Sequence, residues 1–204
     1  MYLTTQDIIP ILEKDGYRNP RCKLQALVRD GTYIPIIRGF YETDPDLPGR
    51  CLTSVIRSPS YISFRYAMNL HGMIPDGDGE YTSATSSTHR TKRYDTPFGI
   101  YTYRDVPAAV FGYNVQMEID HGYQIWVAEP EKAICDQLYT MTPVRSLLAL
   151  EALVIDRLRT YDWALDRLDM DILETIAPLY RSSNTDLFLR MMRARRGRLR
   201  TSAR

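Results

Sequence analysis

Asn19-Pro20-Arg21-Cys22-Lys23-Leu24-Gln25-Ala26-Leu27-Val28-Arg29-Asp30-Gly31, followed by Tyr33-Ile34-Pro35-Ile36-Ile37-Arg38-Gly39-Phe40-Tyr41, decides how the first fifty residues fold. Asn19 before Pro20 is an N-cap and first-position pair, because the Asn side chain accepts from an early backbone N–H and proline has none to satisfy. Leu24, Leu27 and Val28 form one apolar stripe, and Gly31 supplies a stop. Lys23, Gln25 and Arg29 lie opposite that stripe. The residues after Gly31 read as two short strands with a tight turn at Arg38-Gly39, and Pro35 requires an edge strand.

Upstream, Ile8, Ile9, Ile11 and Leu12 predict a short helix closing at Gly16. A proline in a helix interior costs about 3 kcal/mol. That favours Asp7 over Thr4 as N-cap, since Pro10 then falls in the first turn. The turn-rich Asp44-Pro45-Asp46-Leu47-Pro48-Gly49 reads as a linker. We therefore divide the chain into a module of residues 1–48 and a domain of residues 49–204.

The domain opens with helical patterning over 52–56 and 60–71, interrupted by Pro59. Strands are expected over 81–88, 99–103, 109–117 and 123–127, and residues 51–140 hold nine of the fifteen tyrosines, an aromatic type that strands favour. Pro130 opens a helix through Tyr139, and the chain is helical from Pro143 onward. The expected fold class is α/β in the broad α+β sense: a small helix–helix–hairpin module, a mixed domain and C-terminal helices.

The 204 residues hold 26 basic and 25 acidic side chains, but the two signs are segregated. Residues 1–189 carry 19 basic against 25 acidic groups, whereas the last fifteen carry seven arginines and no acid. Such asymmetry points to a phosphate-bearing or acidic partner. Between Arg18 and Arg38 lie Arg18, Arg21, Lys23, Arg29 and Arg38 against the single acid Asp30. A basic helix face beside a basic hairpin tip suits a DNA groove, where phosphate neutralisation releases counterions and base edges are read by residues such as Gln25 or Arg29. A helical subdomain with a solvated polar face is the plain alternative.

Arg90, Lys92 and Arg93 form the one basic run of the middle segment, either a polyanion contact or an exposed strand end. Arg193, Arg195, Arg196, Arg198 and Arg200 would clamp nucleic acid or an acidic partner, or else form a solvated terminus. Asp76-Gly77-Asp78-Gly79-Glu80 resembles the start of a calcium loop but has Tyr81 and Ser87 where Gly and an acid are needed, so it reads as an acidic turn. Glu129, Glu131 and Lys132 are a weak match to a metal-dependent nuclease and suit a helix start equally well. His71, His89 and His121 share no spacing. Three scattered cysteines, Cys22, Cys51 and Cys135, argue against a disulfide framework or zinc site and read as buried or inert thiols. No catalytic residue, metal or cofactor is expected. The absence of an apolar leader or a spanning segment gives a cytoplasmic, non-membrane expectation.

Asn19-Pro20-Arg21, the run Lys23 to Gly31 and Ile37-Arg38-Gly39-Phe40-Tyr41 together resemble the winged helix-turn-helix of the AbiEi family, antitoxins of type IV toxin–antitoxin systems. The resemblance continues through Pro59-Ser60-Tyr61-Ile62-Ser63, Gly72-Met73-Ile74-Pro75, Thr96-Pro97-Phe98-Gly99, Tyr101-Thr102-Tyr103 and Ala128-Glu129-Pro130-Glu131-Lys132-Ala133, over about residues 17 to 140. Each motif is weak, and their order and spacing are more specific. It implies a non-enzymatic protein whose N-terminal domain binds operator DNA to repress its own operon, through Arg21, Lys23, Arg29 and Arg38. It further implies a C-terminal domain that counteracts a nucleotidyltransferase-type toxin encoded nearby. A stand-alone winged-helix regulator and a metal-dependent nuclease are the competing readings.

Overall fold

The computed structural model describes residues 2–77, 79–86 and 88–202, the last four of them as backbone only. The fold is mixed α+β and is built on two sheets.

The N-terminal module runs β1 (Leu3–Thr4), α1 (Thr5–Lys14), α2 (Pro20–Arg29), β2 (Ile34–Ile37) and β3 (Phe40–Glu42). Its three strands are ordered β1-β3-β2, all antiparallel, so Pro35 sits on an edge strand as its missing N–H demands. Ile8, Leu12 and Leu24 are buried between the helices, packed by Leu3, Leu27, Val28, Tyr33 and Tyr41. Asn19 caps α2, its side chain accepting from Cys22 N at 3.2 Å, and Gly31 leaves the helix at φ +83°.

The start of α1 differs from the expectation. Thr4, not Asp7, is the N-cap: its hydroxyl accepts from Asp7 N, and the Asp7 carboxylate accepts from Thr4 N at 2.8 Å. This reciprocal capping box moves the start three residues upstream and leaves Pro10 inside the helix. Two early donors satisfied at once offset part of the bond that Pro10 cannot make.

Residues 44–49 form a packed turn. Leu47 and Gly49 are buried, and Ile36 of β2 shares the main core with Leu47, Cys51 and Leu52. Buried Glu42 ties this turn to the larger sheet. It accepts from Thr43 N at 2.8 Å and Asp44 N at 3.3 Å, and the Tyr123 hydroxyl donates to it. Burial would raise this carboxyl, but these donors, Tyr123 foremost, outweigh it and hold the group below the usual range.

A 3-10 turn (Gly49–Leu52) leads into α3 (Thr53–Ile56), β4 (Tyr61–Ile62) and α4 (Phe64–Leu70). Next come β5 (Glu80–Thr85), β6 (Lys92–Thr96), β7 (Gly99–Asp105), β8 (Val115–Asp120) and β9 (Tyr123–Ala128). The sheet order is β6-β7-β5-β4-β9-β8, with β5/β7 and β4/β9 parallel and the other pairs antiparallel. Tyr101 and Tyr103 are fully buried and donate their hydroxyls to Gly49 O at 2.8 Å and Thr53 O at 2.6 Å, which locks the 49–53 segment onto β7.

The helical part comprises α5 (Pro130–Tyr139), α6 (Leu147–Ala152), a π turn (Leu153–Arg157), α7 (Asp162–Arg167), α8 (Met170–Ile176) and α9 (Ser183–Ser202). α5 packs against α4, α8 and α9. No helix among the described residues is long and apolar enough to cross a membrane.

Three further expectations are corrected. The helix over 60–71 is instead a short strand followed by α4. Residues 109–114 are turns, with Asn114 at positive φ before β8 starts. Residues 92–96, outside the expected strands, form the edge strand β6, in keeping with the strand-end reading of the basic run and at a position where charges guard against unwanted pairing.

Candidate nucleic-acid interface

On α2, burial follows the helical period. Leu24 is buried and Leu27 and Val28 are half-buried, while Arg21, Cys22, Gln25, Ala26 and Arg29 are exposed. Arg21, Gln25 and Arg29 thus stand at i, i+4 and i+8 along one outward stripe, flanked by the small side chains of Cys22 and Ala26. Asp30, the single acid of residues 18–38, is occupied by the N–H and hydroxyl of Thr32 at 3.0 and 2.7 Å, and these bonds hold it below the usual carboxylate range. Arg18 is exposed before the cap, and Arg38 is exposed at the β2–β3 tip beside Gly39 at φ +86°. Arg18, Arg21, Arg29 and Arg38 have no ion-pair partner among the described residues. Lys23, expected on the outward face, is instead half-buried, its ammonium 5.0 Å over the ring of exposed Tyr17. The cap, the stripe and the glycine turn that present this face are all local in sequence.

The middle basic run divides. Arg93 is paired with Glu80 and lies 3.4 Å from Asp95. Arg90 joins Arg104, His89 and Thr91 in lining an open cleft of about 600 Å³ that also includes Asp105 and Thr140. Asp105 is taken up by Thr85 and by the backbone N–H groups of Thr88 and His89. Lys92 is half-buried on β6.

The C-terminal arginines up to Arg200 lie on α9, and two of them, Arg193 and Arg195, pair with acids of this chain. Arg195 bridges Asp162 and Asp166 at 2.7 and 2.6 Å, Arg193 meets Glu174 at 2.9 Å, and Arg196 donates to Leu168 O at 2.9 Å. Arg198 is exposed, and the Arg200 side chain lies outside the described residues.

The nuclease constellation has a different use. Lys132 is fully buried, its ammonium 2.6 Å from Asp136 and 2.8 Å from the Tyr180 hydroxyl. Asp136 also accepts from Ser63 at 2.6 Å, Tyr180 at 2.6 Å and Tyr61 at 3.0 Å. Desolvation pulls the Lys132 pKa down against the raising effect of Asp136, and pushes Tyr61 and Tyr180 well up. Glu131 accepts from Asp169 N at 2.8 Å and Asn114 at 3.0 Å, fastening α5 to the loops before α8 and β8. Sequence reading missed this buried cluster because Lys and Asp four apart on a helix look like an exposed pair.

In the former calcium-like turn, Asp76 pairs with Arg159 at 2.7 Å and Glu80 belongs to β5, while Asp78 lies outside the described residues. Cys51 and Cys135 are buried, and Cys22 is an exposed free thiol. Burial first, and the Asp120 charge second, push the Cys51 thiol up to about 11.

No family model and no curated protein matches the chain. Among solved structures, it is similar to the crystal structure of the RV2827C protein from Mycobacterium tuberculosis, with a TM-score of 0.51, 16% identity, and coverage of 94% of this chain and 76% of that one. At that identity the likeness is one of fold.

Proposed function

We propose that the chain is a DNA-binding antitoxin of a type IV toxin–antitoxin system, which represses its own operon and counteracts a nucleotidyltransferase-type toxin. Residues 1–48 act as a reduced winged helix-turn-helix, with α2 as the recognition helix and the β2–β3 hairpin as the wing. The observation that carries the DNA half is the outward stripe Arg21–Gln25–Arg29 together with Arg38 at the hairpin tip, its arginines without acidic partners among the described residues although residues 1–189 carry an excess of acids. Small residues between the arginines let the helix approach a groove floor closely. Arg18, Arg21, Arg29 and Arg38 contact phosphates, and Gln25 or Arg29 reads a base edge. The antitoxin half is supported by the ordered AbiEi-like motifs, which extend through the six-stranded domain. No side chain in this reading performs catalysis.

The test uses the full chain with its upstream region driving a reporter, beside co-expression with the adjacent gene. Arg21→Ala with Arg29→Ala is expected to lift repression while protection from the toxin remains. Repression that survives the double substitution refutes the α2 assignment, and failure of the wild-type chain to protect refutes the antitoxin reading.

A further inference from the structure

The β8–β9 hairpin closes through His121-Gly122, with Asp120 paired to Tyr123 and both central residues at positive φ, +49° and +78°. This two-residue turn favours Asn-Gly. A histidine there is uncommon, and it aims its ring at Asp120, with Nδ1 2.7 Å from Oδ1. From a segment about seventy residues earlier, the 3-10 turn after Pro48 brings the Cys51 thiol to 3.8 Å from Asp120 Oδ2. The sulfur, a carboxylate oxygen and the imidazole nitrogen all lie within 4.8 Å of one another. Cys51 is buried, Asp120 half-buried and His121 exposed, so the cluster is walled on the sulfur side and open to water on the histidine side.

We infer that Cys51, Asp120 and His121 form a binding site for a zinc-class divalent cation, with the fourth position open to water. The donor set suits this class: thiolate, imidazole and carboxylate together match a borderline-soft tetrahedral ion, and metal–ligand distances near 2.0–2.3 Å draw the three atoms into a compact triangle. Charge closes as well. Coordination releases the Cys51 proton to solvent, and the thiolate and the Asp120 carboxylate then neutralise the dication. Arg50 keeps an acid of its own, since its Nη1 lies 3.5 Å from Glu118 while its Nε holds Asp120 Oδ2 at 2.8 Å. That contact leaves Asp120 Oδ1, which shares a hydrogen bond with His121 Nδ1 until both atoms turn to the metal, as the ligating oxygen, and makes Arg50 a positioning residue, in the outer-shell role that orients a ligating carboxylate.

The site has a mechanical consequence. Tyr123, the last residue of the same turn, donates to Glu42 of the N-terminal module. A metal that joins the hairpin tip to residue 51 fixes the support on which that module rests.

The experiment is a cobalt(II) and zinc(II) titration of the full chain, followed by absorption and calorimetry. The expected result is 1:1 binding, a thiolate-to-cobalt charge-transfer band, and displacement of cobalt by zinc. Cys51→Ser abolishes the band, and His121→Ala, at an exposed turn position, weakens binding about a hundredfold. Arg50→Ala weakens it about tenfold, in the range seen for outer-shell partners. Cys22→Ser leaves everything unchanged. No sulfur band with stoichiometric cobalt, a band that persists in Cys51→Ser, or unaltered affinity in His121→Ala overturns the assignment and leaves the cluster as an Arg50–Asp120 ion pair with a hydrogen bond to His121.

Discussion

Replacing Lys132 by methionine removes the only cation from the buried cluster centred on Asp136 while nearly preserving side-chain volume. In the native protein the Asp136 carboxylate is fully buried and held by Lys132, Tyr61, Ser63 and Tyr180. After the substitution the three hydroxyls remain, but the carboxylate's charge has no counter-charge in a region water does not reach. Breaking a buried pair by removing one partner costs about 3–5 kcal/mol, because an uncompensated charge stays behind. The three surviving donors place the expected loss near the lower end, about 3 kcal/mol. In a chain of this size that lowers the melting temperature by about 10 °C. Urea unfolding followed by circular dichroism reads it as a fall in midpoint at constant m-value. Lys132→Met with Asp136→Leu should recover part of the loss, since paired apolar replacement is often neutral. A loss below about 1 kcal/mol for Lys132→Met alone would refute the view that this pair is desolvated and structural.

Thr4→Ala removes the α1 cap and is expected to cost about 1 kcal/mol, measured by the same unfolding curves; no change would mean that α1 does not depend on its capping box. Gly49→Ala places a Cβ 2.3 Å from Phe98 O and 2.5 Å from the Tyr81 ring, so a loss of about 1–3 kcal/mol from overpacking is expected, and a neutral effect would contradict the close packing of the 44–49 turn. Arg195 holds Asp166 below the usual carboxylate range. A carboxyl with a depressed folded pKa adds stability that is present above its unfolded value of about 3.9 and is lost as pH falls through the folded one. Arg195→Ala should therefore flatten the decline in melting temperature below about pH 4, and an unchanged acid limb would contradict the pairing.

What could be read from the sequence was set by how local the signals are. Asn19-Pro20, Gly31 and Arg38-Gly39 each act within a few residues, so α2 and the hairpin were legible; from sequence the outward stripe reads as Lys23, Gln25 and Arg29, whereas Arg21 stands in it and Lys23 is half-buried against Tyr17. The start of α1 was not, because the Pro10 penalty was weighed without the Thr4–Asp7 reciprocity that offsets it. Tyr61 and Ile62 fit a helical period, yet they pair with Ala84, Ser83 and Val127, partners that periodicity along one segment cannot reveal. The same holds for the buried Lys132–Asp136 cluster, whose third and fourth members, Tyr61 and Tyr180, lie 71 and 48 residues from Lys132. Cys51 and the Asp120-His121 turn are likewise brought together only by the sheet. The C-terminal arginines stood out by composition alone, and only the packing of α9 on α7 and α8 revealed that Arg193 and Arg195 answer acids of the same chain.

The central claim is that α2 and the adjoining hairpin tip bind DNA, and the salt dependence of binding tests it most directly. Fluorescence anisotropy of the full chain on a duplex from the upstream region, repeated across a range of salt concentrations, gives the slope of log affinity against log salt. Each phosphate contact contributes about −0.9 to that slope. Arg21→Ala with Arg38→Ala is predicted to lower the magnitude of the slope by about 2 and weaken binding, with α-helical content unchanged. A slope and affinity equal to those of the wild-type chain would contradict the account.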